Sequence, residues 1–132
     1  MTANTTPIFT LTPAIGIVAI STANTTSDGT GTIGTVLTGG TDGTRITRIT
    51  ITATVTTTAG MVRLFINDGA ANIYLWREVV VVAITKSATV AGFVYIIEFL
   101  DDRALILPAG YSLEASTHNA ENFNVVAEGG NY

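Results

Sequence analysis

His118 is the residue of this chain whose chemistry is easiest to state, because it is the one histidine among 132 residues. Glu121 follows it closely in the sequence, and a histidine beside a carboxylate can act as a general base. No serine or cysteine nucleophile stands beside it in a recognisable motif, and catalysis requires a defined geometry among such groups. We therefore interpret His118 as a loop or interface residue, and we expect the chain not to be an enzyme.

Metal and phosphate sites have equally little support. The chain has no cysteine, so a single histidine leaves only oxygen ligands, and no carboxylate spacing matches a calcium-binding loop. Asp101-Asp102-Arg103 could bind a hard cation or supply paired acids, but adjacent aspartates on a strand point to opposite faces, so we interpret the segment as a solvated turn. Asp28-Gly29-Thr30-Gly31 and Asp42-Gly43-Thr44 resemble phosphate loops, yet neither opens a helix or supplies a lysine, which favours turns. The sequence predicts no catalytic, cofactor-binding or metal-binding residue and no cofactor.

Aromatic side chains offer one further kind of chemistry, the stacking of sugar rings. The candidates are Tyr74, Trp76, Tyr95 and Tyr111. Aromatic residues dominate both protein cores and interfaces, so core packing or subunit contact is the preferred interpretation. Sugar binding stays open as the alternative.

The elements that must position these residues are strands. Between Ile49 and Val55, apolar residues alternate strictly with Thr50, Thr52 and Thr54, which is the period-2 pattern of a strand with one buried face. Threonine is stiff at χ1 and fits a pleated surface. This segment therefore predicts a strand whose outer face is neutral.

Further strands are predicted along the whole chain, and Asn67-Asp68-Gly69 supplies the tight reversal of a hairpin. Two segments, Val79–Val82 and Gly92–Leu100, are apolar on both faces, which indicates strands that are covered on both sides, one of them by a partner. Leu105–Leu107 leads into a turn at Pro108-Ala109-Gly110. The strand candidates are Ile15–Ser21, Thr32–Thr38, Thr44–Thr57, Met61–Ile66, Ile73–Arg77, Glu78–Thr85, Gly92–Leu100, Tyr111–Thr117 and Phe123–Ala127.

About eight or nine short strands without a helix predict an all-β fold, an antiparallel β-sandwich or barrel. We expect an eight-stranded jelly roll, because eight strands divide into two facing sheets. Residues 13–132 then form a single β-sandwich domain. Residues 1–12 are predicted to be an extended N-terminal arm.

The composition restricts the partners. Charged residues make up 12% of the chain and hydrophobic residues 47%, so the surface is poor in charge and we expect other subunits to cover part of it. The formal net charge of -4 and the six scattered Lys and Arg residues argue against nucleic acid, which requires clustered positive charge. No apolar run is long enough to span a bilayer. The run Ala14–Ala19 has no basic residues before it, so we expect no signal peptide and synthesis in the cytoplasm.

Several short segments together resemble small phage and prophage virion proteins. These segments are Ile20–Asn24, Asp28–Thr32, Thr57–Ile66, Leu75–Val79 and Leu107–Leu113. They cover turns and strands along most of the chain. The resemblance implies a jelly-roll capsid decoration or cement protein, a homotrimer that sits on the capsid surface of the virion and contacts the major capsid protein. It implies no catalytic residues.

In this hypothesis the protein acts by adhesion, and many weak contacts together stabilise the head. We predict Ile8, Phe9 and Leu11 as anchors of the arm, and Trp76, Phe93 and Tyr95 as core or subunit contacts. Alternative functions remain. One is a glycan- or receptor-binding module of a tail fibre, another is a tail or neck structural component, and a third is a hydrolase built around His118.

Overall fold

The computed structural model describes residues 9–100 and 103–132, and within them the chain forms strands and turns without a helix. The strands are β1 (Thr12–Ile20), β2 (Gly34–Thr38), β3 (Thr44–Ala53), β4 (Gly60–Asn67), β5 (Ile73–Val81), β6 (Val94–Glu98), β7 (Leu105–Leu107), β8 (Ser112–Thr117) and β9 (Phe123–Asn131). The predicted all-β class is confirmed. No helix in the described part of the chain is long and apolar enough to cross a membrane.

The strands form two antiparallel sheets that pack face to face. Sheet A has the order β1-β9-β3-β6, with β7 also paired to β3, and sheet B has the order β2-β8-β4-β5. β6 pairs with Arg48–Thr52 and β7 with Thr44–Ile46, so these two short strands follow one another along the same edge of β3. Nine strands therefore fill eight positions. Two four-position sheets in this order make a jelly roll, and the predicted sandwich is confirmed.

Two predicted strand boundaries in the middle of the chain are wrong. The strand predicted for Thr44–Thr57 ends at Ala53. Ile73–Arg77 and Glu78–Thr85 were expected to be two strands, but β5 runs unbroken through both as far as Val81. The charged pair Arg77-Glu78 does not interrupt it, because Glu78 lies opposite Arg63 of β4 and forms an ion pair with it. The ladder between β4 and β5 contains a bulge. Leu64 lies opposite Arg77 and Phe65 lies opposite Leu75, so Trp76 has no residue opposite it.

The core lies between the sheets and is built from alternate residues of each strand. In β3 the inward residues Ile49, Ile51 and Ala53 are buried, whereas the threonines between them are partly exposed. β8 contributes Leu113 and Ala115, and β4 contributes Val62 and Leu64. The period-2 pattern of the sequence therefore determines which side chains reach the core.

The first strand begins at Thr12, three residues before the predicted start, and the N–H of Leu11 extends the ladder by donating to the carbonyl of Asn131 at 2.7 Å. The described part of the predicted arm is thus Phe9–Thr12, and its remainder, with Ile8, lies outside the described residues.

The hairpin between β4 and β5 forms where the sequence predicts it. The Asp68 carboxylate accepts hydrogen bonds from the N–H groups of Ala70 and Asn72, and Gly69 has a φ of 76°. Glycine adopts this left-handed conformation without steric cost. The turn brings the paired strands of sheet B together.

Candidate interaction surface

The outer face of sheet A is a largely apolar surface. The register places Ile17, Val126, Thr50 and Ile96 side by side across β1, β9, β3 and β6. Ile17 is 64% exposed and Ile96 is 52% exposed. Ile15 and Val94, which neighbour Ile17 and Ile96 on the outward side of the same strands, are exposed as well. Ile106 is also exposed, but it lies opposite Arg45, beyond the row of Arg48 and Glu98. Exposed apolar side chains grouped on one face of a sheet are typical of an interaction site.

A charged row borders this surface. Ile15, Glu128, Arg48 and Glu98 lie side by side in the next row. The Arg48 guanidinium lies 3.2 Å from the Glu98 carboxylate, and both side chains are solvated. An exposed pair of this kind contributes little free energy, so it neutralises the surface without stabilising the fold much.

The outer face of sheet B differs, because residues 21–33 lie over it. The N–H of Asn24 donates to the carbonyl of Thr117 in β8, and the Asn24 carbonyl accepts from Arg63 of β4. Further along, Gly29 approaches Ile73 of β5. The chain therefore covers the part of this face formed by β8 and β4, while Val80 of β5 stays exposed. Sheet A is the more open side of the sandwich.

Beneath that covering segment lies a polar cluster centred on Arg63. Its side chain is 8% exposed, and its Nε donates to Glu78, 39% exposed, at 3.0 Å. Its Nη1 lies 3.3 Å from the Asn24 carbonyl and 3.3 Å from Nδ1 of His118. A guanidinium only donates, so Nδ1 is the acceptor in this arrangement. The cluster ties the covering segment to β4 and β5.

His118 lies in the loop after β8, with its ring directed to Arg63. The carboxylate of Glu121 instead accepts from the N–H and hydroxyl of Thr58, at 2.9 and 2.6 Å. The structure thus does not bring His118 and Glu121 together as a base and its orienting acid. Among the described residues there is also no group of three His, Cys, Asp or Glu residues that could hold a metal ion.

The segments that resemble phosphate loops are turns, as the sequence predicts. The Asp28 carboxylate accepts from the hydroxyl of Thr30 at 2.6 Å and from its N–H at 3.1 Å, and these bonds, the hydroxyl first, lower the pKa of Asp28. Gly43, after Asp42, has a φ of 94°. Asp101 and Asp102, the remaining acidic candidates, lie outside the described residues.

The predicted contact residues fall into different environments. Phe9 and Leu11 are largely exposed, next to the start of β1. Phe93 is buried and packs edge to face on Phe123, with ring centroids 6.3 Å apart. Of the two roles predicted for Phe93, core or subunit contact, the structure gives it the core role.

Trp76 lies on β5 and Tyr95 lies on β6, which are the edge strands of sheet B and sheet A on the same side of the sandwich. Trp76 packs against the core and lies 6.0 Å from Phe99, centroid to centroid, just beyond β6. Tyr95 is on the inward face of β6, opposite Ile51, yet it is 37% exposed. Its exposure follows from its position at the open edge between the sheets.

The exposed apolar residues of β1 were not among the predicted contact residues. Ile15 and Ile17 belong to a run from Ala14 to Ile20 that is apolar throughout. A continuous apolar run also led to the prediction of two covered faces at Val79–Val82. There Val79 and Val81 are buried, and Val80 and Val82 are exposed. The continuous apolar run in β1 predicts an apolar outer face in the same way.

Few known proteins are similar to this chain. No protein family and no curated protein matches the chain. Among solved structures, a pentameric capsid protein isolated from metagenomic phage sequences is similar to it, with 16% identity and a TM-score of 0.33 over 86% of this chain. The aligned region spans 59% of that protein's length. A TM-score this low does not establish a shared fold, so the jelly roll described above rests on the strand order of this chain alone.

Proposed function

We propose that this chain is a structural subunit of a phage virion, a capsid decoration or cement protein that binds the major capsid protein and its own copies and has no catalytic step. The observation that carries the adhesive role is the open, apolar outer face of sheet A. The assignment to a phage comes from the sequence resemblance to small virion proteins.

The size of this face suits a docking surface. Its four paired strands contain 9, 9, 10 and 5 residues. At about 3.3 Å per residue and about 4.8 Å between strands, they cover roughly 500 Å². One side of a standard protein interface buries about 800 Å². The face of sheet A also contains Glu128, Arg48 and Glu98, so its apolar part supplies a share of such a contact and polar residues supply the rest.

Copy number in purified particles tests the location. A decoration protein is present in a stoichiometric ratio to the major capsid protein, with hundreds of copies per head. About a dozen copies or fewer would instead assign the chain to the tail or neck, and its absence from mature particles would contradict the whole proposal.

A charge placed on the outer face tests the docking surface. We expect Ile17→Glu to abolish binding to heads without changing the unfolding midpoint, because the side chain is exposed in the isolated chain. Val80→Glu is the matched control, since Val80 is 62% exposed but belongs to β5 of sheet B. Equal binding by both variants would show that sheet A is not the docking face.

A further inference from the structure

Edge strands of a sheet present unpaired backbone groups, and natural proteins usually protect them. Three of the four long edges here are protected. β1 contains Pro13 and lies against β2 at Gly16. β2 is interrupted by a bulge between Thr35 and Leu37. β5 has the bulge at Trp76 followed by the charged residues Arg77 and Glu78.

β6 has none of these protections. Its residues Val94–Glu98 pair with β3 in a continuous register without a bulge, and they include no proline, glycine or lysine. Its one charge, on Glu98, is paired with Arg48 of the neighbouring strand. β6 is therefore a flat, neutral edge, of the kind that pairs with another chain.

The direction of its free backbone groups follows from two hydrogen bonds. Ala53 N–H donates to the carbonyl of Phe93, and Phe99 N–H donates to the carbonyl of Thr47. Hydrogen-bonded pairs alternate along an antiparallel ladder, so Tyr95 and Ile97 direct their backbone groups towards β3. The N–H and C=O groups of Val94, Ile96 and Glu98 consequently point away from the sheet.

We propose that β6 pairs antiparallel with β6 of a second copy of this chain, about a two-fold axis at Ile96. In this register Ile96 lies opposite its own copy, and Val94 lies opposite Glu98. About six backbone hydrogen bonds form, and no like charges lie directly opposite each other, which would be destabilising. The strand is thus complementary to itself.

This pairing rests on the assembly proposed above and names the contact between copies. It gives a dimer in place of the homotrimer that the resemblance implies. Ile96 belongs to the apolar row of the outer face of sheet A. The two-fold axis joins that row to its copy and doubles the continuous outer face to roughly 1,000 Å². Tyr95, partly exposed at the same edge, is covered by the partner strand.

Sedimentation velocity over a concentration series measures the predicted dimer. The expected mass is twice the 13.7 kDa of one chain. Ile96→Lys places two ammonium groups opposite each other at the axis and is expected to weaken dimerisation at least tenfold. Val80→Lys, an equal change at an exposed valine of β5, should leave the dimer intact. A monomeric or trimeric wild-type chain, or an equal effect of both variants, would overturn the proposal.

Amide hydrogen exchange gives a readout that does not depend on any variant. In the dimer the N–H of Ile96 is protected about as well as that of Tyr95, which bonds within the sheet. Exchange at Ile96 that is fast and independent of concentration would refute the pairing even if the chain forms another oligomer. Neither measurement depends on heads, so a dimer absent from virus particles would refute the virion function and leave the β6 contact standing.

Discussion

Arg63 shows how a single buried charge can organise one side of this sandwich. Its guanidinium holds Glu78 of β5, the carbonyl of Asn24 and the ring of His118 at the same time. A buried charge requires such partners, because its desolvation is otherwise uncompensated. Arg63 therefore fastens the segment 21–33 to sheet B, and His118 serves as one of its acceptors.

We expect Arg63→Met to destabilise the fold by roughly 1–3 kcal/mol, because the Asn24 carbonyl and Glu78 lose their donor. Urea unfolding measures the effect. Arg48→Met is the matched control: it removes an ion pair whose side chains are 49% and 60% exposed, and it should cost less than about 1 kcal/mol. Equal losses in the two variants would show that the Arg63 cluster does not anchor the covering segment.

The carboxylates of two turns make a contribution to stability that depends on pH. Hydrogen bonds from Thr30 lower the pKa of Asp28, and hydrogen bonds from the N–H of Ala70 and the amide of Asn72 lower the pKa of Asp68, both from an ordinary value of 3.8. A carboxyl with a lowered pKa binds its proton less readily when folded than when unfolded. Its contribution to stability is therefore complete above pH 3.8, and it is lost as the pH falls through the pKa that the carboxyl has in the folded protein.

Carbon-detected NMR titration of the aspartate carboxyls tests this directly. Thr30→Val removes the hydroxyl that bonds Asp28 and should raise the pKa of Asp28 while leaving that of Asp68 unchanged. A titration of Asp28 that is the same with and without the hydroxyl would contradict the assigned cause.

At the scale of elements, the contact between β1 and β2 depends on a glycine. A Cβ at Gly16 would collide with the carbonyl oxygen of Val36 and lie 2.7 Å from the Cβ of Leu37. These atoms belong to the backbone and its first side-chain carbon, so they cannot rotate away. The edges of the two sheets approach closely here because position 16 has no side chain.

Gly16→Ala is expected to destabilise the fold by about 1–3 kcal/mol through overpacking. Gly40→Ala is the control, because the atoms nearest to its Cβ would belong to the Asn131 side chain, at 3.0 Å or more, and not to the backbone. Thermal or urea unfolding compares the two. A Gly16→Ala chain as stable as the control would mean that β1 can move away from β2 at no cost.

At the scale of the whole molecule, truncation tests the predicted N-terminal arm. The ladder between β1 and β9 starts with the hydrogen bond from Leu11 to Asn131. We expect deletion of residues 1–8 to leave the unfolding midpoint unchanged, because the described ladder between β1 and β9 from Leu11 onward is kept, and to weaken attachment to heads. Circular dichroism and cosedimentation with heads measure the two effects. Undiminished attachment would exclude residues 1–8, and with them Ile8, as an anchor, and would leave Phe9 and Leu11 as the remaining candidates.

The strand pattern was predictable because it depends on local sequence. The alternation identified the buried face of β3 from Ile49 to Ala53, but it failed at Val55, which lies beyond the end of β3 and is 40% exposed. Asn67-Asp68-Gly69 identified a hairpin whose turn requires a positive φ. The break assumed at Arg77-Glu78 was wrong, because the Arg63 that pairs with Glu78 lies 15 residues earlier in the chain. A local pattern contains no information about such a partner.

The sequence by itself determined the all-β class, the inward residues of each strand and the shortage of charge, since these follow from side-chain period and composition. Only the tertiary structure decided which apolar residues stay open. Phe93 became core, whereas Ile17 and Ile96, no less apolar in sequence, remained exposed in one row. The reason is that strand order and the path of residues 21–33 decide which face is covered, and both depend on contacts between residues far apart in the chain.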